Sequence, residues 1–185
     1  MYFELDWKVV PADPDLANTG RCDNTGVPWS MGVHHAREVK QPIRCELNPK
    51  RGSKLRDAFL IDIPLFSERL LAAIRGAGVD NLQCFAAEIR DLGGQVHRNY
   101  RAVNILGAVK CADLTRSQFE QNPGSPFIEF THLVLDGAKL RGLDLLRLGE
   151  RPGRIILSAR VAKAIQAIEP IGITLIPVEV SDLHD

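Results

Sequence analysis

Two cysteines and two adjacent histidines in the first quarter of the chain are of the types that bind zinc. They are Cys22, His34, His35 and Cys45. Their spacing, Cys-x11-His-His-x9-Cys, matches no compact zinc motif, and neighbouring histidines rarely bind one ion together. The pattern favours exposed loop histidines over a metal site, and we predict no cofactor.

Cysteine and histidine also form the pair used in thiol catalysis, in which an imidazole deprotonates the nucleophile. The available side chains are Cys22, Cys45, Cys84, Cys111, His34, His97 and His132. Cys84 and Cys111 lie among apolar residues, which is typical of small core side chains. Because no CxxC pair occurs, we expect free thiols in a reducing cytoplasm and no marked nucleophile.

A tryptophan stands in the Pro- and Gly-rich stretch GVPWSMGVHH, residues 26–35. It is either a plug that closes the core or an anchor for a partner, since tryptophan is frequent among binding hot spots. The irregular segment around it, residues 11–52, is long for a connection inside a domain, and such loops tend to be functional. The candidates for partner binding are therefore Trp29, Met31, His34, His35 and Arg37.

Composition excludes several classes of function. Lys+Arg and Asp+Glu each number 23, so no net charge attracts nucleic acid or an anionic membrane. The N-terminus has no basic start followed by an apolar run, and no stretch has the length of a membrane span. The sequence predicts a cytoplasmic protein that binds neither nucleic acid nor a membrane.

Two similar stretches, FSERLLAAI at 66–74 and LSARVAKAI at 157–165, predict helices. Ser67 and Ser158 stand where an N-cap is expected, and apolar residues follow at helical spacing. Each helix is followed by a strand-like stretch. An offset of 91 aligns the two copies, so we predict an internal duplication with repeats at 64–89 and 155–180.

Both copies place an arginine in the first turn of the helix, where the helix dipole disfavours a cation. Because a glutamate occurs late in each following strand, we predict the ion pairs Arg69–Glu88 and Arg160–Glu179. The alternative is an anion site formed by an exposed arginine and the backbone N–H groups of the helix start.

Two helices and about six strands indicate an α+β fold, with both helices on one face of a mostly antiparallel sheet. The length of 185 residues fits one domain, residues 1–185. Residues 1–55 would form a strand and an irregular extension, and residues 56–185 the core. No P-loop or dinucleotide fingerprint occurs.

Three runs carry a family resemblance: PLFSERLLAAIRGAGVDNLQCFAAEI, YRAVNILGAVKCADLTRSQF and GLDLLRLGERPGRIILSARVAKAIQAIEPIGITLIPVEV. Over about residues 58–180 the chain resembles the eleventh catalogued immunity-protein family of bacterial polymorphic toxin systems, typified by a Myxococcus immunity protein. Besides the LLRL strand, the matching positions are Ser67, Tyr100, Asn104, Asp113, Ser117, Ser158, Pro177, Val178 and Glu179.

The resemblance implies a small cytoplasmic protein that binds and neutralises a cognate toxin domain without catalysis of its own. It supplies no catalytic residue, and it leaves the segment before residue 55 without a counterpart. Two alternatives stay open: a small hydrolase or transferase that uses loop 11–52, and a regulatory domain that binds a ligand between the repeats. A homodimer also stays open, because no heptad pattern marks an interface.

Overall fold

A computed structural model describes residues 1–6, 13–35 and 39–181 of the chain. Within these ranges the chain forms fourteen strands, two α-helices and one 3-10 helix, η1, Gly137–Leu140. The helices are α1, Glu68–Gly76, and α2, Ala159–Gln166. The strands are β1 Tyr2–Asp6, β2 Thr19–Cys22, β3 Ile43–Leu47, β4 Ala58–Phe59, β5 Leu65–Ser67, β6 Leu82–Arg90, β7 Val96–Ile105, β8 Ala108–Val109, β9 Gln118–Glu120, β10 Glu129–His132, β11 Val134–Asp136, β12 Leu145–Leu148, β13 Ile155–Ser158 and β14 Thr174–Ser181.

Two six-stranded sheets organise these strands. Sheet one has the order β2-β3-β6-β7-β5-β4, and sheet two has the order β11-β14-β1-β13-β12-β8. Most neighbours are antiparallel; β3 with β6, β11 with β14 and β8 with β12 are parallel. Strands β9 and β10 pair with each other as a separate hairpin. The predicted α+β class is therefore confirmed, although the structure has two large sheets where the sequence analysis predicted one.

The two sheets share an internal order. Sheet one contains β3-β6-β7-β5-β4, and sheet two contains β11-β14-β1-β13-β12 with the same succession of parallel and antiparallel pairs. Each helix joins an inner strand to the strand two places away, from β5 to β6 or from β13 to β14. The central strand differs in origin, since β7 follows β6 directly whereas β1 comes from the start of the chain.

Both helices pack in one core shared by the sheets. Leu70 and Ile74 of α1 meet Val161 and Ile165 of α2, at the helical spacing that the sequence predicts. Alternate residues of β6 face opposite ways: Leu82 and Cys84 pack against this core, while Phe85, Ala87 and Ile89 belong to a second core beneath the N-terminal segment. A third core lies on sheet two, around Leu135, Leu140 and Leu148.

The N-terminal segment is more regular than predicted. Strands β2 and β3 lie inside the stretch 11–52 that we expected to be irregular, and both belong to sheet one. Strand β3 alternates buried and exposed residues over only five positions, and β2 has four residues, so neither is long enough to stand out among the surrounding Pro and Gly residues. The strand predicted within residues 1–55 corresponds to β1, residues 2–6, and residues 7–12 after it lie outside the described ranges.

Candidate functional site

A loop at residues 29–35 crosses from sheet one to sheet two and is held by side chains of both. On the sheet-one side, the buried Asn104 donates from Nδ2 to the carbonyl of Val33 at 2.7 Å. Gln83 binds the backbone of His35 twice, accepting its N–H at 2.9 Å and donating to its carbonyl at 3.0 Å. These amide contacts replace a strand partner for this part of the loop.

On the sheet-two side, Arg147 of β12 holds the start of the loop. Its side chain is almost fully buried and donates to the carbonyls of Trp29 at 2.8 Å and Pro152 at 2.7 Å. It makes no ion pair within the described residues, and burial lowers the pKa of Arg147 to about 10. A guanidinium in this position acts as a fixed donor of hydrogen bonds to backbone carbonyls.

The middle of the loop touches the backbone before β8. The carbonyl of Gly32 accepts the N–H of Gly107 at 2.8 Å. Gly32 has a φ of +69°, and a Cβ there would lie 2.8 Å from the carbonyl carbon of Gly107. Only glycine allows both this backbone conformation and this close approach.

Trp29 closes the core beneath the loop. It is 4% exposed, its Nε1 donates to Thr25 Oγ1 at 2.8 Å, and its ring meets Phe85 edge-on at 5.4 Å. Of the two roles considered for Trp29, the structure shows the buried position of the plug, and the role of partner anchor stays a prediction.

His35 is buried against Trp29 at a ring distance of 5.1 Å, which corrects the prediction of exposed loop histidines for this residue. Its Nε2 is buried without a hydrogen-bond partner in the described part of the chain. Burial, and secondly the neighbouring His34, lower the pKa of His35. The neutral imidazole is therefore the form that fits this position.

The loop turns a small apolar surface outward. Met31 is 40% exposed and Val33 is 52% exposed, and His34 is exposed beside them. Of the five predicted partner-binding residues, Met31 and His34 face outward, Trp29 and His35 are buried, and Arg37 lies outside the described residues. Gln83 and Arg147 were not predicted to have a role, because nothing in their strand contexts indicates contacts with a distant loop.

The cysteines differ from the prediction of four free thiols. Cys22 and Cys45 lie opposite each other on β2 and β3 and form a disulfide. Pairing across strands leaves no CxxC spacing, which is why the sequence pattern did not indicate it. The disulfide leaves neither Cys22 nor Cys45 as a thiolate ligand for a metal, and the described residues contain no cluster of three or more metal-binding side chains.

The two remaining cysteines are free thiols. Burial raises the pKa of Cys84, and raises that of Cys111 to about 12. The thiolate is the reactive form, and a raised pKa reduces its population at neutral pH. At Cys84 the guanidinium of Arg75 acts in the opposite direction, since its Nη2 donates to Sγ at 3.2 Å, but burial is the larger effect.

The predicted ion pairs of the helix starts are wrong, since both arginines bind aspartates instead. Arg69 binds Asp57 in bidentate fashion, from Nε at 2.8 Å and from Nη2 at 2.5 Å. Ser67 caps α1 by accepting the N–H of Leu70, and its hydroxyl also donates to Asp57 at 2.6 Å. The aspartate thus satisfies the cation that the helix dipole disfavours.

The second half repeats this arrangement. Arg160 binds both oxygens of Asp144, and the hydroxyl of Ser158 donates to Asp144 at 2.6 Å. In each half a tyrosine hydroxyl donates to the carbonyl just before the aspartate: Tyr100 to Arg56 at 2.8 Å and Tyr2 to Leu143 at 2.9 Å. Asp57 and Asp144 lie at different sequence distances before Ser67 and Ser158. The alignment of the two copies at an offset of 91 therefore does not match the two aspartates with each other.

Glu88 and Glu179 have other partners. Glu88 lies between Arg44 at 3.2 Å and Arg98 at 3.4 Å, and Glu179 binds Arg116 at 2.5 Å and His132 at 3.4 Å. Both glutamates sit on strands at some distance from the helix starts and hold neighbouring segments together.

Asp113 and Ser117 shape the turn after β8. Asp113 Oδ1 accepts the N–H of Thr115 at 3.1 Å, and Ser117 Oγ accepts the N–H of Val134 at 3.0 Å. These are local backbone contacts of the kind that fix turns.

The described residues include no helix long and apolar enough to cross a membrane. Compared with known families, the chain matches the model described as Immunity protein family (Imm11) over residues 7–180. The match extends further toward the N-terminus than the resemblance over about 58–180, so most of the N-terminal segment lies within it. None of the curated proteins compared with the chain matches it.

Proposed function

We propose, because the chain belongs to the Immunity protein family (Imm11), that it binds a cognate bacterial toxin domain and neutralises it by stoichiometric contact, without catalysis of its own. The observation that carries this proposal is the family match over residues 7–180. The raised pKa values of the Cys84 and Cys111 thiols, and the use of Cys22 and Cys45 in a disulfide, are consistent with a binding protein. Cytoplasmic location, a single domain and a homodimer stay predictions.

We assign loop 29–35 to the toxin-binding surface. A segment whose backbone is already fixed loses little conformational entropy on binding, and the contacts from Gln83, Asn104 and Arg147 fix this backbone. Met31 and Val33 supply apolar contact area at its exposed side. The loop thus combines a fixed backbone with two exposed apolar side chains.

Co-expression tests the proposed function. The partner to test is the C-terminal domain of a toxin if one is encoded next to this chain, and the readouts are growth rescue and co-purification of the two proteins. We expect both. If the toxin kills cells that contain folded protein, and no complex forms, the proposal fails for that pair.

A charge substitution tests the surface. Met31→Asp with Val33→Asp places two carboxylates in the expected contact area, and we expect toxin affinity to fall at least about tenfold, measured by calorimetry. Leu92→Asp is the matched control, because Leu92 is 49% exposed in the turn between β6 and β7. Unchanged affinity in the double variant would exclude loop 29–35 from the contact surface.

We also infer that the two halves arose by internal duplication with a displaced central strand. The shared strand order and the repeated aspartate, serine, arginine and tyrosine contacts support this origin.

A further inference from the structure

A cavity of about 700 Å³ lies beside β8, between the turn that follows this strand and the segment from Asp136 to Lys139. Its charged and hydroxyl lining comes from Lys110, Asp113, Thr115, Asp136, Lys139, Glu150 and Ser181. Three carboxylates thus face two ammonium groups. The cavity contains none of the residues assigned above to loop 29–35.

Glu150 is the unusual member of this lining. Its side chain is 92% buried (8% exposed), and one oxygen, Oε1, accepts the N–H of Ala112 at 3.1 Å. The other oxygen, Oε2, is buried and has no hydrogen-bond partner in the described residues. A buried carboxylate oxygen without a donor is costly in free energy, and a cation is the group that removes this cost most fully.

The other two carboxylates already have donors. Asp136 accepts the N–H of Ala138 at 3.0 Å and pairs with the ammonium of Lys139 at 3.1 Å. Asp113 accepts from both the N–H and the hydroxyl of Thr115. Within this lining, Glu150 is therefore the carboxylate with a buried oxygen that has no donor among the described residues.

The cavity is continuous with the proposed toxin-binding loop through β8. Gly107, just before β8, donates to Gly32 of the loop, and Lys110, just after β8, lines the cavity. The three residue steps from Gly107 to Lys110 span roughly 10 Å. One toxin domain could therefore cover both the loop and the cavity.

We propose that this cavity binds a side-chain cation, the guanidinium or ammonium group of a basic residue of the toxin, with Glu150 as its carboxylate partner. The identity of the partner rests on the proposed function; the preference for an organic cation does not. A cavity of this volume accepts a whole arginine or lysine side chain.

Small probes test the cavity in the isolated chain. Agmatine and n-butylamine carry the two cations, and n-butanol is the neutral control. We expect both amines to shift the backbone amide resonance of Ala112 saturably, since this N–H donates to Glu150, and n-butanol to leave it unmoved. Glu150→Gln keeps the shape and removes the charge, and should weaken amine binding at least about tenfold.

Glu129→Gln is the matched control. Glu129 is exposed and pairs with Arg151 outside the cavity lining, so this variant makes the same charge change and should retain the affinity of the unmodified chain. Should Glu150→Gln fail to fold, the amine and n-butanol titrations of the unmodified chain still decide the point. Equal amine binding by the Glu150→Gln variant would overturn the assignment. So would a shift of the Ala112 resonance with n-butanol alone, or the failure of every probe to shift it.

The two proposals fail separately. Loss of toxin neutralisation with intact amine binding removes the proposed function and leaves the cation site. Neutralisation by a chain that binds no amine removes the cation site and leaves the proposed function.

Discussion

At the scale of single residues, the polar groups that matter most around loop 29–35 are buried and incompletely paired. His35 Nε2, Asn104 Oδ1 and Arg147 Nε all lack partners within the described residues, although other atoms of Asn104 and Arg147 hold the loop. Unpaired buried groups are expensive, so such a cluster indicates that the loop position is sensitive to changes of charge.

His35 makes this sensitivity testable by pH. Its pKa lies below the ordinary value of 6.5 in the folded loop, so the unfolded loop binds the proton more readily. The stabilisation by neutral His35 is complete above about pH 6.5 and is lost progressively as the pH falls below that value. We expect loop 29–35 to loosen in mild acid.

Tryptophan fluorescence measures this change, since His35 packs against Trp29. The chain has a second tryptophan, Trp7, so the measurement uses a Trp7→Phe variant in which Trp29 alone emits. In this variant, the emission of Trp29 should shift toward longer wavelength as the pH is lowered from 7 to 5. His35→Phe keeps an aromatic ring without the titrating group and should abolish the shift. A shift of equal size in this variant would assign the change to another group.

Residue types alone predicted only part of the candidate site. The sequence pointed to the same stretch that the structure-based proposal uses, because Pro, Gly and Trp concentrate there, and it named Met31 and His34, which the structure exposes. It could not show that His35 and Trp29 face inward, because an irregular segment has no periodicity from which burial follows. Nor could it show the hydrogen bonds from Gln83, Asn104 and Arg147 to the backbone of loop 29–35, because these residues lie far from the loop in the chain.

At the scale of elements, the edge of sheet one depends on a covalent link. Strand β2 has four residues, and the disulfide from Cys22 to Cys45 joins it to β3. An edge strand this short adds few ladder hydrogen bonds. The link therefore contributes a large part of what keeps β2 and the start of the loop on the sheet.

Reduction should weaken this edge. Closing a loop of 23 residues corresponds to about 2–4 kcal/mol of unfolding free energy. We expect Cys22→Ser with Cys45→Ser to lower the unfolding free energy by this amount in urea titrations, and to increase amide exchange in β2. Cys84→Ser, which removes a free thiol, is the control. Equal stability of the double variant and the unmodified chain would contradict the prediction.

The helices were easier to predict than the strands for a physical reason. An amphipathic helix shows its buried face within a few turns, so α1 and α2 and their serine caps could be located from local spacing. Ser158 occupies the predicted N-cap position but accepts no capping hydrogen bond, although its hydroxyl donates to Asp144 as that of Ser67 donates to Asp57. Short strands such as β2, β4 and β8 show too few alternations, and their pairing is set by partners far away in the chain.

At the scale of the whole molecule, the aspartate–arginine clusters join the two halves. Arg69 also donates to the carbonyl of Ile168 at 2.8 Å, and Asp57 Oδ2 accepts the N–H of Ile171 at 2.7 Å. In the reverse direction, the guanidinium of Arg160 lies against Gly78, where a Cβ would be 3.0 Å from it. Each arginine thus touches the connection between helix and strand in the opposite half.

Substitution of the two aspartates should have unequal effects. The side chain of Asp57 is 4% exposed and that of Asp144 is 28% exposed. Asp57→Asn should lower the unfolding free energy by about 2–3 kcal/mol, because Arg69, Ser67 and the Ile171 N–H lose a buried carboxylate. Asp144→Asn should cost clearly less, because water replaces part of its contacts.

Urea titrations at several pH values check this difference. Although burial acts to raise the pKa of Asp57, the hydrogen bonds from Arg69, Ile171 and Ser67 outweigh it and hold that pKa below the usual range. The stabilisation is therefore present above about pH 4 and is lost as the pH falls through the lowered pKa. Equal losses for the two variants, or a loss for Asp57→Asn that persists unchanged at pH 2, would contradict this account.

The position of β1 has a consequence for how the chain is made. β1 fills the centre of sheet two, where Leu5 lies opposite Ile155 and Leu175. At about 5–20 residues per second, a ribosome needs roughly 8–30 s to reach these partners after making Leu5, so β1 waits for its partners while the strands between are made. Strands β2 to β7 are finished well before that. Sheet one can therefore assemble during translation, whereas the centre of sheet two stays unpaired until β13 and β14 have been made.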